Sequence, residues 1–218
     1  MMPRVLEPEY MDTDEEADGY DAMDHSGPNG SFLARLRELG ARGRMLDLGC
    51  GPGHVAVLVA ESIPDSRVVA LDAAKTMLAH AERHRLRSKA AARIELALAD
   101  AKGLAYPDAS FDCVFSNTVL HHIPDPLPFL REAWRVLRPG GVFLVRDLFR
   151  PETPERALEL VRLHASKDTP YQRELFRASL HAALTTAEFR RIADQAGIGS
   201  AEIVIDSDRH HSLQTRGK

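Results

Sequence analysis

The sequence contains little that would cross-link the chain or hold it in a membrane. Its 218 residues include only two cysteines, Cys50 and Cys113, which are too few for a disulfide framework. No run of about 20 apolar residues occurs, and the longest uncharged apolar stretch, 54–60, is too short to span a bilayer. The first residues lack the apolar centre of a signal peptide. We therefore expect a cytoplasmic protein in a reducing compartment, without membrane insertion.

Positive charge is absent from the segment 7–24, which contains nine acidic residues and no lysine or arginine. The whole chain has a formal net charge of -4, so the part outside this segment is net positive. An acidic segment poor in aliphatic residues cannot offset the entropy lost on ordering. We therefore expect an acidic flexible arm over residues 1–18, followed by one folded domain over residues 19–218.

Apolar runs alternate with helical patterns along the middle of the chain. A composition of 44% hydrophobic and 28% charged residues is typical of a globular domain. Strands that alternate with helices indicate a parallel sheet whose right-handed crossovers cover both faces. The predicted fold class is α/β, a Rossmann-like doubly wound sheet that is mostly parallel with an antiparallel final strand. The predicted strands are 44–48, 68–71, 94–98, 111–115, 142–145, 201–205 and 212–215.

Helical periodicity fills the segments between these strands and continues after the fifth one. Residues 150–185 are longer than a simple crossover needs, so we expect a helical insertion there, over one end of the sheet. Asn29 or Ser31 is expected to cap the helix that precedes the sheet, and Gly40 to end it. The predicted helices are 29–39, 55–62, 75–86, 125–137, 153–165, 171–182 and 186–196.

The most informative stretch is 45–54, where an apolar strand runs into a glycine-rich turn and then into a helix. Without side chains at Gly49 and Gly51, the backbone can turn sharply and approach a ligand, and the following helix offers unpaired N–H groups. A dinucleotide fingerprint would need glycine where His54 stands, and no P-loop lysine follows. A purely structural turn does not explain Asp47 inside the apolar strand end. We expect a polar ligand at this turn.

Acidic residues also end the next two predicted strands. Asp72 follows an apolar run and is placed to accept hydrogen bonds from both hydroxyls of a ribose. Asp100 ends the third strand in the same way, where it could accept from an exocyclic amine. Because the carboxyl ends of parallel strands meet at one edge of a sheet, Asp47, Asp72 and Asp100 are expected to converge on one crevice.

With these motifs in order, the segment 44–149 resembles the class I S-adenosylmethionine-dependent methyltransferases, nearest the small-molecule enzymes of the quinone-biosynthesis type. The resemblance covers about half of the chain. The order and spacing are specific for the family, although not for a substrate. The motifs are Asp47–Gly53, Asp72, Asp100–Ala101, Phe111–Asp112, Ser116–Asn117, Leu120–Ile123 and Leu137–Gly141.

The resemblance implies S-adenosylmethionine as the methyl donor and S-adenosylhomocysteine as the product. Gly49 and Gly51, with Cys50 between them, would flank the methionine portion, and Asp47 would orient its ammonium group. Asp72 would hold the ribose. An acid-lined site suits the ammonium and sulfonium charges of the donor. The residues implied at the adenine and at the sulfonium end are Ala73, Asp100, Ala101 and Asn117.

A sulfonium is already an activated leaving group, so in-line methyl transfer needs mainly orientation and the exclusion of water. A general base is needed only for a protonated acceptor. His121 and His122 are the candidates, because they follow the fourth strand at the crevice, although they could also cap or pack the loop. Asp147 and Arg146 end the fifth strand and could bind an acceptor, with Asp147 able to deprotonate it, or form a surface ion pair. Histidine and cysteine show no zinc-like spacing, so no metal is expected.

Two other functions stay open from the sequence alone. A nucleic-acid methyltransferase would use a basic cluster, which could equally be a solvated helix end. The target-base motif Asn/Asp-Pro-Pro-Tyr/Phe is missing after the fourth strand. A non-catalytic donor-binding partner module would keep the fold without activity. We expect a small-molecule acceptor, and the sequence does not choose between a monomer and a homodimer. The basic cluster is Arg83, Arg85, Arg87, Lys89 and Arg93.

Overall fold

A computed structural model describes residues 2–215, and one mixed sheet forms its centre. The strands are β1 (Arg44–Leu48), β2 (Arg67–Asp72), β3 (Ile94–Leu98), β4 (Phe111–Asn117), β5 (Leu137–Leu148), β6 (Glu202–Ile205) and β7 (His210–Thr215). Their order in the sheet is β3-β2-β1-β4-β5-β7-β6. Strand β7 runs antiparallel to both of its neighbours, and the other pairs are parallel. The predicted doubly wound sheet with an antiparallel final strand is confirmed.

Helices cover both faces of this sheet. The helical insertion expected after the fifth strand is confirmed, since two helices separate β5 from the helix that precedes β6. Among residues 2–215, no helix is both long and apolar enough to cross a membrane. The helices are α1 (Asp14–Asp21), α2 (Ser26–Glu38), α3 (His54–Ser62), α4 (Lys75–Arg87), α5 (Pro126–Val136), α6 (Pro154–His164), α7 (Pro170–Ala182) and α8 (Thr186–Gln195).

Alternate residues of the central strand β1 belong to two separate parts of the hydrophobic core, one on each face of the sheet. Leu46 and Leu48 pack with Phe129 of α5 on one face. Met45 packs on the opposite face with Phe32 of α2. Successive side chains of a strand point to opposite faces, and a parallel sheet is stable when both faces are covered. The apolar strand pattern therefore reflects burial on both sides.

Among the predicted elements, only α2 and β5 begin three residues or more away from their predicted starts. Helix α2 begins at Ser26 instead of Asn29, because Pro28 is tolerated in a first helical turn and does not mark a boundary there. Strand β5 begins at Leu137, which pairs with Phe111, well before the predicted start at Val142. The register shifts between these pairings, so residues 138–141 form an irregularity inside the strand instead of a simple turn before it.

The chain before α2 follows a defined path, whereas composition alone assigned it no structure. Thr13 and Glu16 form a capping box that starts α1, and this S/T-x-x-E pattern is a helix signal that the composition argument missed. Upstream, the Met2 N–H donates to the Glu152 carbonyl at 3.0 Å and the Val5 N–H to the His181 carbonyl at 3.1 Å. Whether the arm is flexible stays a prediction, but its described path runs along the helical insertion.

The two adjacent glycines of β5 give a matched test of this irregular segment. A Cβ at Gly141 would lie 2.8 Å from the Asp112 carbonyl oxygen and 2.9 Å from that of Arg138. A Cβ at Gly140 would meet nothing within 4 Å, although Gly140 has a φ of +76°. We expect Gly141→Ala to cost about 3 kcal/mol through overpacking, and Gly140→Ala about 1 kcal/mol through left-handed strain. Urea denaturation measures both, and equal losses would contradict this assignment.

Candidate functional site

A cavity of about 460 Å³ opens at the carboxyl edge of the sheet, a volume typical of small-molecule sites. It lies where β1, β2, β3 and β4 end, as the crevice argument predicts. His121 and His122 line it, whereas Asp147 does not. All the sequence-predicted donor residues line it too: Asp47, Gly49, Cys50, Gly51, Asp72, Ala73, Asp100, Ala101 and Asn117.

The glycine turn after β1 is shaped by two different requirements. Gly49 has a φ of +69°, and a Cβ there would lie 2.6 Å from a methyl carbon of Val119. Gly51 has a φ of +52°, and its nearest neighbour would be a ring carbon of Tyr20 at 4.0 Å. Packing and backbone conformation therefore require Gly49, whereas Gly51 keeps the backbone open toward the cavity.

Asp47 is a buried carboxylate without a compensating partner. The residue is 1% exposed, and its Oδ2 accepts no hydrogen bond within the described part of the chain. Burial, with a smaller contribution from Asp72, raises the pKa of Asp47 well above its usual value. A buried acceptor without a partner costs free energy unless a ligand supplies a donor or a positive charge. The observed geometry therefore fits a cationic group such as an ammonium.

Asp72 is held in place by backbone N–H groups of the two turns beside it. Its Oδ2 accepts from the Gly51 N–H at 2.8 Å and its Oδ1 from the Ala74 N–H at 2.9 Å. Burial raises the pKa of Asp72, although these hydrogen bonds oppose the shift. Each carboxylate oxygen can accept more than one hydrogen bond. The fixed carboxylate can therefore accept from two ligand hydroxyls.

Asp100 also lies at the cavity, but it has a protein partner already. Its Oδ2 lies 3.0 Å from Nζ of Lys102, which also contacts Glu9 of the arm. Burial would raise the pKa of Asp100, and the hydrogen bonds and charge of Lys102 outweigh it and lower the pKa. Asp100 is therefore an ionised group at the cavity lining.

His121 and Asp147 form a buried pair behind the opposite wall. The Asp147 carboxylate contacts His121 twice, at 2.7 Å from Nδ1 and at 2.7 Å from the backbone N–H. Burial would lower the pKa of His121, but Asp147 and then Glu7 outweigh it, so the pKa is raised. Burial would raise the pKa of Asp147, and His121 holds it below its usual value. Asp147 therefore contacts His121 and does not line the cavity itself.

The methyltransferase domain family matches residues 46–145, the part of the chain that builds this cavity. A 27-O-demethylrifamycin SV methyltransferase of Amycolatopsis mediterranei is 37% identical over 56% of this chain and 44% of its own length. A protein of Mycolicibacterium smegmatis described as an S-adenosylmethionine-dependent methyltransferase is 34% identical over 77% of this chain and 59% of its own. The chain thus spans about half the length of these curated relatives.

The overall fold matches as well. A SAM-dependent methyltransferase from Aquifex aeolicus superposes with a TM-score of 0.67 over 93% of this chain and 97% of that one, at 19% identity. The domain match, the relatives and the cavity agree. Residues 46–145 are thus a methyltransferase domain, and the chain resembles the class I S-adenosylmethionine-dependent methyltransferases. The resemblance inferred from its motifs is confirmed, and the unpaired Asp47 and the fixed Asp72 fit the donor that this family uses.

His122 differs chemically from its neighbour His121, although their ring centroids are only 4.2 Å apart. Burial and the charge of His121 lower the pKa of His122 to about 3. Its Nδ1 lies 3.3 Å from the Glu7 carboxylate. Burial also raises the pKa of Glu7, which comes from the arm. The pKa values of two histidines that look equivalent in the sequence are therefore shifted in opposite directions.

Arg146 is not at the surface, and it does not reach the cavity. The residue is 4% exposed, and its Nε donates to the Asn117 Oδ1 at 2.9 Å. Its Nη2 donates to the Pro28 carbonyl at 2.8 Å. Neither role expected from the sequence, an acceptor ligand or a surface ion pair, is found, because β5 is an interior strand whose residues 141–148 are buried. Arg146 instead fixes Asn117 at the cavity wall.

The amino-terminal segment supplies wall residues that the sequence did not assign. Glu7, Tyr20 and His25 line the cavity, and α7 contributes Phe176 and Ser179. Ser179 donates to the Glu7 carboxylate at 3.1 Å, which joins the arm to the helical insertion. No local motif marks these residues, because each reaches the cavity only through long-range packing. The capping box of α1 was the one available signal.

Two groups of metal-ligand side chains occur in the described residues, although spacing along the chain indicated no metal. One group is Glu7, His121 and His122, and the other is Asp21, His54 and His84. Each combines residues from segments far apart in sequence, so a spacing rule for short motifs does not detect them. His164, His181, His210 and His211 belong to neither group.

Asp47 allows a test of the buried, unpaired carboxylate. Its folded-state pKa is raised, so its unfavourable contribution to stability grows as the pH rises from the unfolded toward the folded value. We expect Asp47→Asn to raise the free energy of unfolding by about 1 kcal/mol at pH 8 and by less at pH 5. Urea denaturation at both pH values measures the difference.

Asp112 is the matched control, because its two carboxylate oxygens have partners. They accept from the Arg44 N–H at 2.8 Å and from Arg138 Nη1 at 2.6 Å. Asp112→Asn should therefore lower stability where Asp47→Asn raises it. A loss of stability in both variants at pH 8 would contradict the view that Asp47 lacks compensation.

Proposed function

We propose that this protein transfers the methyl group of S-adenosylmethionine to a small-molecule acceptor by in-line displacement. The observation that carries the proposal is one cavity that joins the unpaired, buried Asp47 carboxylate to the fixed Asp72 carboxylate. A phosphate-bearing ligand would be repelled by these acids, whereas an ammonium and a ribose diol satisfy them. When bound, the donor supplies an activated methyl group on sulfur.

The residues of the sheet edge then hold the donor. Asp47 pairs with the ammonium group, and the backbone at Gly49 and Gly51 lies against the methionine portion. Asp72 accepts from the ribose hydroxyls. Ala73, Asp100 and Ala101 border the adenine, and Cys50 and Asn117 complete the wall. This assignment uses every donor residue predicted from the sequence, and each of them lines the cavity.

The acceptor side is built by the helical insertion, the arm, the end of β5 and the loop after β4. Leu148, Leu175 and Phe176 give this part of the cavity an apolar surface, and His121 gives it a polar group. The arm and α7 enclose the space, which favours a small molecule over a macromolecule. The demethylrifamycin methyltransferase that this chain resembles is named for a small-molecule substrate. None of the basic cluster 83–93 lines the cavity.

His121 is the residue we assign as general base for a protonated acceptor. Its Nδ1 contacts Asp147 at 2.7 Å, which leaves Nε2 to accept a proton while Asp147 stabilises the imidazolium that forms. A base works best when its pKa lies near the working pH. His122, with a pKa of about 3, is too weak a base for this role. Asp147 is a positioning residue.

Donor binding tests the assignment of Asp72. We expect Asp72→Ala to weaken S-adenosylmethionine binding by about 1.5 to 3 kcal/mol, the range for hydrogen bonds to a charged group. Isothermal titration calorimetry on the folded chain measures this. Asp65→Ala is the control, because Asp65 is exposed and outside the cavity. Unchanged affinity in Asp72→Ala would refute the ribose assignment, and no donor binding by the wild type would refute the proposed function.

Turnover tests His121. Acceptors are first identified by screening small phenols and carboxylic acids for acceptor-dependent release of S-adenosylhomocysteine. We then expect His121→Asn to lower kcat by about a hundred-fold or more, with donor affinity retained. Because the pKa of His121 is raised, the wild-type rate should fall as the pH drops through that raised value.

Asp147→Asn and His181→Asn complete this comparison. Asp147→Asn should lower kcat and move the acid limb of the pH profile to lower pH, because the imidazolium loses its partner. His181 lies outside the cavity lining, so its variant should keep the wild-type profile. An unchanged pH profile in Asp147→Asn would show that the carboxylate serves packing alone.

A further inference from the structure

A second cluster of metal-ligand side chains lies at the edge of the cavity, which one of its members, His54, lines, and methyl transfer does not use it. We call Asp21, His54 and His84 the clasp. Asp21 ends α1, His54 begins α3, and His84 lies in the last turn of α4. The clasp therefore joins the amino-terminal segment to the two helices that flank the donor turn.

The three facing atoms of the clasp are unusually close together. Asp21 Oδ1 lies 2.8 Å from His54 Nε2 and 2.7 Å from His84 Nε2. The two imidazole nitrogens are 3.2 Å apart. Their side chains are 22%, 26% and 29% exposed in the order Asp21, His54, His84, so the group is accessible to an ion from solvent.

Hydrogen bonds cannot account for all three contacts at once. Each Nε2 carries at most one hydrogen. If both nitrogens donate to Asp21, two N–H groups converge at an N···N distance of 3.2 Å. If either nitrogen is unprotonated, its lone pair faces the carboxylate oxygen at 2.7 or 2.8 Å. With Asp21 ionised, every arrangement of hydrogens leaves at least one of the three contacts without a hydrogen bond.

A divalent transition-metal ion removes this conflict. Zn²⁺ binds imidazole nitrogen and carboxylate oxygen at about 2.0 to 2.2 Å. An ion at such distances from all three atoms would lie just outside their plane. Two histidines and one carboxylate form a common donor set for such ions, and the partly exposed position leaves room for water as a further ligand.

The surroundings of the clasp resemble the outer shell of a metal site. His80 is buried, and its Nδ1 lies 2.9 Å from the other oxygen of Asp21. Its Nε2 lies 3.0 Å from the Asp18 carboxylate. This chain of contacts fixes the orientation of the Asp21 carboxylate, which is the function of outer-shell partners at metal sites.

We propose that Asp21, His54 and His84 bind a Zn²⁺-type divalent ion that fastens α1 over the donor turn. Helix α1 carries Tyr20, whose ring lines the cavity above Gly51. The ion would therefore hold one wall of the cavity in place from outside the reacting centre. This site is separate from methyl transfer, and its ion binding can be measured without donor or acceptor.

The test is a titration of the metal-stripped chain with Zn²⁺ against a chromophoric chelator. We expect one equivalent to bind at the clasp, and His54→Ala and His84→Ala to weaken that binding by at least about 100-fold, since even outer-shell losses cost 10- to 100-fold. His80→Ala should weaken it by about 10-fold. Hydrogen exchange of residues 14–21 should slow when Zn²⁺ is added to the wild type and not to His84→Ala.

Two controls separate the clasp from other histidines. His181→Ala removes an imidazole outside both ligand groups and should bind Zn²⁺ as the wild type does. His122→Ala disrupts the group of Glu7, His121 and His122. This variant should still bind one equivalent of Zn²⁺ at the clasp. If a histidine variant fails to fold, Asp21→Ala is measured in its place, because Asp21 lies at the end of a surface helix.

Three results would overturn the assignment. The first is a wild-type chain without saturable Zn²⁺ binding, which would mean that protonated imidazoles alone hold Asp21. The second is undiminished binding in folded His54→Ala and His84→Ala. The third is loss of Zn²⁺ binding in His122→Ala alone, which would place the ion at the group of Glu7, His121 and His122. Donor affinity enters none of these readouts, so failure here and failure of the proposed function are distinguishable.

Discussion

A carboxylate at the end of a buried strand imposes the constraint around which the rest of this site is organised. Asp47 lies between the apolar layers on both faces of the central strand, where water cannot solvate it and Oδ2 accepts no hydrogen bond from the described residues. Such a group lowers stability, and it persists where a ligand uses it. In the proposed function, the ammonium group of the donor pairs with Asp47 and its ribose hydroxyls with Asp72, beside the glycines of the turn.

The cavity around these acids is assembled from three parts of the chain. The sheet edge supplies the donor residues, the helical insertion supplies an apolar wall, and the amino-terminal segment closes the remaining side with Glu7 and Tyr20. An enclosed cavity excludes water, and without water the electrostatic interactions that separate the pKa values of the two wall histidines are stronger. His121, paired with Asp147, is raised in pKa, whereas the adjacent His122 is lowered. Two neighbouring histidines thus differ in pKa because they have different partners.

Most of the fold was predictable because it follows from local patterns. The strands that form the sheet carry continuous apolar runs, and the helices between them repeat at 3.6 residues, so their order implies the parallel sheet. Strand β5 was harder, since its pairing resumes beyond an irregular segment and depends on the register of β4. Helix α1 carries its own capping signal, but an acidic composition obscured it. Boundaries set by tertiary pairing are not encoded in a local window.

The sequence by itself determined the doubly wound sheet, the glycine turn and the three acids at successive strand ends, because parallel strands bring their carboxyl ends to one edge whatever the loops do. Only the tertiary structure decided that Arg146 is buried and supports Asn117, that Asp147 stands behind His121, and that Glu7 completes the wall. It also decided that Asp21 meets His54 and His84. These contacts join segments whose separation along the chain is unrelated to their distance in space, so packing and not local periodicity sets them.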